Sequence, residues 1–229
     1  MSKCQDCPNA GKHAFCSLGD DARSFLESQS IGVEYPRGTI LFREGDQCDA
    51  IYVLCSGKVK VSVTSREGRT MILRIANGGD VLGMSAALGG EPFEVTAEAL
   101  EPSRVRVLHV KSLEVLLRQY REASMCAAKA LAEDYRVAFD DARRLALPET
   151  PAGRLASLLL EWASDVKAAN GTPTITMALT HEELASMTAT TRETITRTLG
   201  RFRKEKLISI RGVALTLLQP AALEQLSAC

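Results

Sequence analysis

The chain has 229 residues, in which 28 Lys plus Arg balance 28 Asp plus Glu, and it carries seven cysteines. A net charge of zero excludes a polybasic binder that holds nucleic acid over its whole surface, and 45% hydrophobic content excludes a disordered chain. The odd cysteine count excludes complete pairing into intramolecular disulfides, the polar start after Met1 predicts no secretory signal, and no apolar run reaches the ~18 residues of a membrane span. A reducing cytoplasm without a membrane partner is therefore expected, where cysteines more often serve metal, redox chemistry or packing.

Residues 1–20 form a cysteine-bearing arm with Pro8, Gly11 and Gly19, and Ala22, Phe25 and Leu26 begin a short helix after it. From 31 to 110, short β-branched runs alternate with turn signals. The runs are Thr39–Phe42, Ile51–Leu54, Lys58–Thr64, Met71–Ile75, Thr96–Leu100 and Val105–Val110. Strands recurring about every ten residues predict an antiparallel barrel or jelly roll over 21–121. Gly83–Gly90, rich in small residues, predicts a short helix packed close to it.

A short helix near Ser112 precedes a long one over 122–147 that lacks both proline and glycine. Its apolar stripe includes Met125, Ala128, Leu131, Tyr135, Ala138, Ala142 and Leu145. Periodicity alone leaves two readings open, a helix packed on its own domain or a seam shared with a second copy. Pro148 and Pro151 bracket a linker, and 148–229 reads as a second domain. It contains an amphipathic helix over Arg154–Lys167, a strand over Thr174–Leu179, two helices over Thr180–Met187 and Thr191–Lys206, and a closing hairpin over Ile208–Leu218.

The two helices, joined by Thr188-Ala189-Thr190, form a helix-turn-helix candidate. Thr180 and Glu183 have capping-box spacing at the first. In the second, Ile195, Leu199 and Phe202 recur at i, i+4 and i+7, which leaves Arg192, Glu193, Thr196, Arg197 and Arg203 on other faces. Between 192 and 211 seven basic residues face two acidic ones, a surplus of five inside a neutral chain. Arg can bond guanine bidentately, Glu can accept from cytosine N4, and Thr can hydrogen-bond or touch a thymine methyl. The plainer alternative is a solvated basic helix.

The segments Leu179–Ala185, Thr191–Arg197 and Leu207-Ile208 resemble the winged-helix signature of the CRP/FNR family of bacterial transcription regulators. Gly38–Asp46, Tyr52–Leu54, Ser56–Val59 and Gly79–Gly83 resemble that family's effector-domain β-roll. The resemblance implies an α+β chain with a cyclic-nucleotide-binding-type antiparallel β-roll, a long dimerisation helix and a C-terminal winged helix-turn-helix. It implies a homodimer on palindromic double-stranded DNA with TGA-like half-site cores, working with RNA polymerase and not as an enzyme. Thr191, Arg192, Glu193, Thr196, Arg197, Arg201 and Arg203 would contact DNA, with Arg192, Glu193 and Arg197 at the main base-reading positions. The stripe on 122–147 would then be the dimer seam.

The signal is less determined. The cyclic-AMP branch places a Glu after the Gly83 equivalent and an Arg-Ser pair about ten residues on, and this chain has Met84, then Glu94-Val95. The effector positions Gly83, Met84, Glu94 and Val95 thus lack the phosphate-binding cation and carry an acid, which argues against cyclic AMP. The FNR branch holds a [4Fe–4S] cluster on an N-terminal cysteine trio and one β-roll cysteine. Cys4, Cys7 and Cys16 offer a comparable trio at C-x2-C-x8-C, wider than the family's spacing, and 101–106 has no cysteine. Cys55, Cys48 or Asp6 are candidates for a fourth ligand. A thiol switch, a zinc site, or another ligand altogether are the alternatives, and the competing class is a redox or metal-binding module using the C-x2-C directly. Cys55 and Cys126 also read as buried small hydrophobes, Cys229 as incidental, and His13 and His109 as surface.

Overall fold

The computed structural model describes residues 15–68, 70–147, 150–164, 172–176 and 179–228. Cys4, Cys7 and His13 lie outside them. The chain forms two compact units, Met1–Val137 and Ala138–Cys229.

In the first unit a 3-10 turn over Phe15–Ser17 leads into α1, Asp20–Gln29. Eight strands follow: β1 Ile31–Tyr35, β2 Ile40–Phe42, β3 Ala50–Ser56, β4 Lys58–Thr64, β5 Thr70–Asn77, β6 Val81–Leu82, β7 Thr96–Ala99 and β8 Ser103–His109. The short helix α2, Met84–Gly89, interrupts them. The strands pair antiparallel in two sheets of order β1-β8-β3-β6 and β2-β7-β4-β5. Among the described residues this is the expected β-roll with two strands more than the sequence suggests, β1 and the two-residue β6. β1 escapes notice because it is an edge strand, largely exposed, and contains Gly32.

Alternation along the strands builds two cores. Leu54, Val59, Ala76, Ala97, Ala99 and Val105 meet inside the roll, where Phe42 and Phe93 stack at 3.9 Å. Ile51, Val53 and Leu108 face outward, against Ala22 and Leu26 of α1 and Leu113 and Leu116 of α3, Val110–Gln119. Phe15 and Leu18, next to the arm, are fully buried in this second core.

The long helix α4 spans Arg121–Ala146 and presents two faces. Ala123, Cys126 and Ala127 enter the core that holds Phe15 and Leu18. On the same unit Arg74 of β5 reaches Asp134 at 2.9 Å and Asp80 at 3.2 Å. Met125, Ala128, Ala132, Tyr135, Phe139 and Ala142 are exposed and recur at alternating steps of three and four residues. Leu131 corrects the stripe expected from sequence. It packs partly against its own unit's core, and Leu145 is half-buried, while Ala138 is exposed but off the three–four spacing.

The unit boundary falls inside α4 and not at the Pro148–Pro151 linker. The reason is electrostatic as well as apolar. Arg144 is buried, pairs with Asp141 one turn earlier, and reaches Glu161 of α5, Pro151–Ser164, at 2.9 Å. The end of α4 is thereby tied to the second unit's first helix. That unit continues through β9 Thr174–Thr176, α6 His181–Met187, α7 Arg192–Lys204, β10 Ile208–Arg211, β11 Ala214–Leu217 and α8 Pro220–Ser227. Its sheet has the order β10-β11-β9. Leu155, Leu159, Leu184, Ile195, Phe202, Leu215 and Leu223 are buried in it. α8 was not expected from sequence, although Pro220 at its first position is a typical opening.

Removing the cation from this buried carboxylate should be costly. Arg144→Ala is expected to destabilise the second unit by about 3 kcal/mol. The single tryptophan, Trp162, lies on α5 and reports that unit's unfolding by fluorescence. An unchanged denaturation midpoint would show that the ion cluster does not hold the unit together.

Candidate nucleic-acid interface

Local chemistry fixes both helices of the motif. Thr180 accepts a hydrogen bond from the Glu183 backbone N–H at 3.2 Å, and the Glu183 carboxylate accepts from the Thr180 N–H at 2.7 Å. This is the capping box expected from sequence, and it starts α6 at His181. The helix stops at Thr188, which is fully buried and returns its hydroxyl to the Leu184 carbonyl at 2.8 Å.

The turn is held from outside. Ala189 adopts φ +48, a left-handed conformation that favours glycine, so this bend is mildly strained. Arg154 of α5 donates from Nε to the Thr188 carbonyl at 2.8 Å and from Nη2 to the Ala189 carbonyl at 3.5 Å. A guanidinium at the end of α6 also complements that helix's C-terminal partial charge. Sequence reading missed this role of Arg154, since its partners lie 34 and 35 residues away.

Thr191 caps α7 by accepting from the Thr194 N–H at 3.3 Å. Ile195, Leu199 and Phe202 are buried, as their spacing predicts, and Thr198 joins them. Arg192, Glu193, Thr196, Arg197 and Arg203 are exposed with Gly200 and Lys204. At 100° per residue they occupy one continuous face. Glu193 stays ionised readily. Its own backbone N–H and then the Thr191 hydroxyl hydrogen-bond the carboxylate and hold its pKa below the ordinary value. Arg201 lies to the side of this face, with its guanidinium 3.9 Å from Glu205 and 5.6 Å from the Phe202 ring centroid. After α7, β10 and β11 form a hairpin turning at Gly212 and Val213, with Arg211 beside its tip. The result is a winged helix with a cationic helix face.

The other candidate residues fall into two groups. Gly83 sits at φ +80 before α2, and a Cβ there would come within 2.7 Å of the Phe93 ring. Met84 is buried in the outer core, Val95 packs against the inner one, and Glu94 is exposed, accepting from the Ser85 hydroxyl at 2.9 Å. The acid therefore stands at the surface, while Met84 and Val95 serve packing on different sides.

Among the cysteines, Cys48 is half-buried, and its thiol contacts the Ala50 and Gly83 carbonyls at 3.5 and 3.8 Å. Burial raises its pKa, and Asp49 and Glu94 push it further in the same direction. Cys55 contacts the Val53 carbonyl at 3.8 Å. Burial also raises the pKa of Cys126, 4.0 Å from the Ser17 hydroxyl. Among the described residues, no three His, Cys, Asp or Glu side chains are grouped to hold a metal ion. Nor is any described helix long and apolar enough to cross a membrane.

Comparison with known proteins agrees with this architecture. The cyclic nucleotide-binding domain family matches residues 32–120, and the Crp-like helix-turn-helix domain family matches 153–226. The anaerobic regulatory protein of Bacillus subtilis is 30% identical, over 84% of this chain and 82% of its own. The CRP-like cAMP-activated global transcriptional regulator of Mycobacterium tuberculosis is 28% identical, over 86% and 88%. The solved structure of FixK2 from Bradyrhizobium japonicum shares the fold, with TM-score 0.76 at 22% identity, over 87% of this chain and 98% of that one.

Two substitutions probe the helix face. Arg197→Ala should weaken specific DNA binding by about 1–3 kcal/mol, roughly 5- to 150-fold in a gel-shift titration. Unchanged affinity would remove Arg197 from the interface. Gly200 sits on the exposed face with open space around it. Gly200→Ala should therefore raise the unit's stability by about 1 kcal/mol, read from the Trp162 transition.

Proposed function

The chain belongs to the CRP/FNR family of DNA-binding transcription regulators, and from that premise we propose a homodimer whose signal is the chemical state of its cysteine-bearing arm. The relatives are regulators and not enzymes. Palindromic DNA, RNA polymerase and the cytoplasm are the partners and setting that this reading implies.

The carrying observation is where the arm ends. Phe15 and Leu18 are fully buried among Ala123, Cys126 and Ala127 of α4. The Glu122 carboxylate accepts from the Gly19 N–H at 3.1 Å, and Ser17 lies beside Cys126. Cys16 thus lies within the segment locked to α4, between buried Phe15 and Leu18. A chemical change at Cys16 that displaces Phe15 or Leu18 loosens the inner face of the helix whose outer face carries the apolar stripe. Coupling of this kind needs only about 1–3 kcal/mol of differential stabilisation.

The outer stripe supports the dimer. Met125, Ala128, Ala132, Tyr135, Phe139 and Ala142 have the three–four spacing of a coiled-coil seam, and the three large ones are exposed. A second α4 would cover them.

A [4Fe–4S] cluster needs a fourth ligand, for which Cys55, Cys48 and Asp6 are the candidates, and the surroundings of Cys48 do not favour it. The Cys48 thiol is held by two carbonyls, and burial and two acids disfavour its thiolate. Thiol oxidation or metal binding by Cys4, Cys7 and Cys16 remains the reading, with cyclic AMP disfavoured by the carboxylate of Glu94 in place of a cation.

Two experiments test this. Operator affinity should differ between anaerobic and air-exposed protein, and the difference should vanish when Cys4, Cys7 and Cys16 are all replaced by Ser. Iron, sulfide and zinc analysis of the anaerobic protein, with its visible spectrum, identifies the chemistry. Equal affinity in both states would refute arm sensing. Separately, Tyr135→Glu with Phe139→Glu should give monomers by light scattering and lower operator affinity about a hundredfold or more, since two linked half-site contacts become one. A dimer surviving this pair of charges would refute the seam.

A further inference from the structure

The helix α7 carries a glycine that the fold does not require. Gly200 is the ninth of the 13 residues of α7. Its backbone is ordinary helix and not the left-handed conformation that favours glycine. A Cβ there would meet no heavy atom within 4 Å, so no neighbouring element needs the close approach that glycine allows. Glycine inside a helix costs stability relative to alanine, because it loses more conformational freedom on folding. Neither packing nor backbone geometry within the chain offsets that cost.

Its neighbours on the helix surface give a reason. Residues three and four positions away stand within about 60° of it around the axis. They are Thr196, Arg197, Arg203 and Lys204, all exposed. The Thr196 hydroxyl bonds the Arg192 carbonyl at 2.9 Å and lies 2.8 Å from Nδ1 of His181, so the charge of this ring is that of three cations. None of the three forms an ion pair among the described residues, whereas Arg201, to the side, lies 3.9 Å from Glu205. The acid on this face, Glu193, is two turns earlier, roughly 10 Å along the axis.

Bare backbone ringed by uncompensated cations suits an anion pressed against the helix. In a helix-turn-helix the N-terminal part of the second helix meets base edges. A helix with its side chains is about 10–12 Å across and the major groove about 12 Å wide, so little clearance remains. A straight helix in a curved groove then meets the sugar–phosphate wall in its later turns. A missing side chain there lets the two backbones approach.

We propose that Gly200 is a seat for one backbone phosphate of each half-site, held against the bare helix by Arg203 and Lys204. The proposal rests on α7 entering the major groove and deepens that reading with a contact that positions the helix and reads no base. A side chain at 200 would lift the phosphate away from both cations.

The test uses the full-length protein and an operator selected from random double-stranded DNA. Gly200→Ala should raise the Trp162 unfolding midpoint by about 5 °C while weakening operator binding roughly threefold. Gly200→Leu, also a good helix former at an open position, should weaken binding about tenfold, since overlap at a close contact grows with size. Its plot of log affinity against log salt should be shallower by about one per half-site. Reselection with Gly200→Leu should return the same bases. Stability and binding moving in opposite directions excludes a general loss of fold.

Single methylphosphonate substitutions, which neutralise one phosphate at a time, locate the seat. One position per half-site should weaken wild-type binding, and the same substitution should cost Gly200→Leu less, because the two changes disturb one contact. Arg203→Ala should show the same coupling at that position. Wild-type affinity in Gly200→Leu, or additive losses at every phosphate, would overturn the seat. A changed base preference on reselection would overturn it in favour of a base contact. Failure of the wild-type chain to enrich any site would refute DNA binding by α7, and the seat with it.

Discussion

The packing of small side chains on the inner face of α4 is the constraint on which the rest depends. Ala123, Cys126 and Ala127 let the helix approach the roll closely enough to enclose Phe15 and Leu18. Larger residues there would hold the helix off and expose two fully buried side chains. Because the inner face is satisfied within the unit, the large residues Met125, Tyr135 and Phe139 are left outside. One helix thereby links the arm to a surface suited to a second copy. Hydrophobic burial on one side and an apolar stripe on the other follow from the same 3.6-residue repeat.

The second unit solves a different problem, that of presenting a helix at a fixed angle. Its short turn contains a strained alanine, and the turn's carbonyls are held by a guanidinium from α5. Arg144 ties α5 in turn to the end of α4 through Glu161. The recognition helix is thus positioned by α5, and α5 is anchored by charge. Both devices are side chains reaching backbone or carboxylate groups, which resist sliding more than apolar contacts do.

Features set by neighbours in sequence were legible in the sequence. The Thr180–Glu183 box, the Thr191 cap and the buried row Ile195, Leu199 and Phe202 all involve residues within a few positions of one another. What the sequence hid was set by distant partners. Nothing local reveals that Leu131 turns toward the roll while Tyr135 does not, since both fit an apolar stripe. The edge strand β1 is too exposed to alternate clearly. Met84 and Val95 are grouped as effector positions only by the family resemblance, yet they face different cores. The bond between His181 and Thr196 spans 15 residues and two helices, so no periodicity announces it. The environment that disfavours a Cys48 thiolate is likewise assembled from β3, Gly83 and Glu94.

The confinement of the positive surplus to 192–211 has a kinetic consequence. The chain as a whole is neutral, so its monopole gives no long-range pull toward a polyanion. At physiological salt, fields fade over about 8 Å, which is shorter than the α7 helix itself at roughly 1.5 Å per residue. The cationic face is therefore felt only once the molecule is nearly touching the duplex, and then it acts as a torque that turns that face inward. Such a protein finds DNA no faster than a neutral one, but an encounter that brings α7 close is converted into an oriented one. Added salt should then shorten the time spent sampling the duplex more than it lowers the rate of arrival.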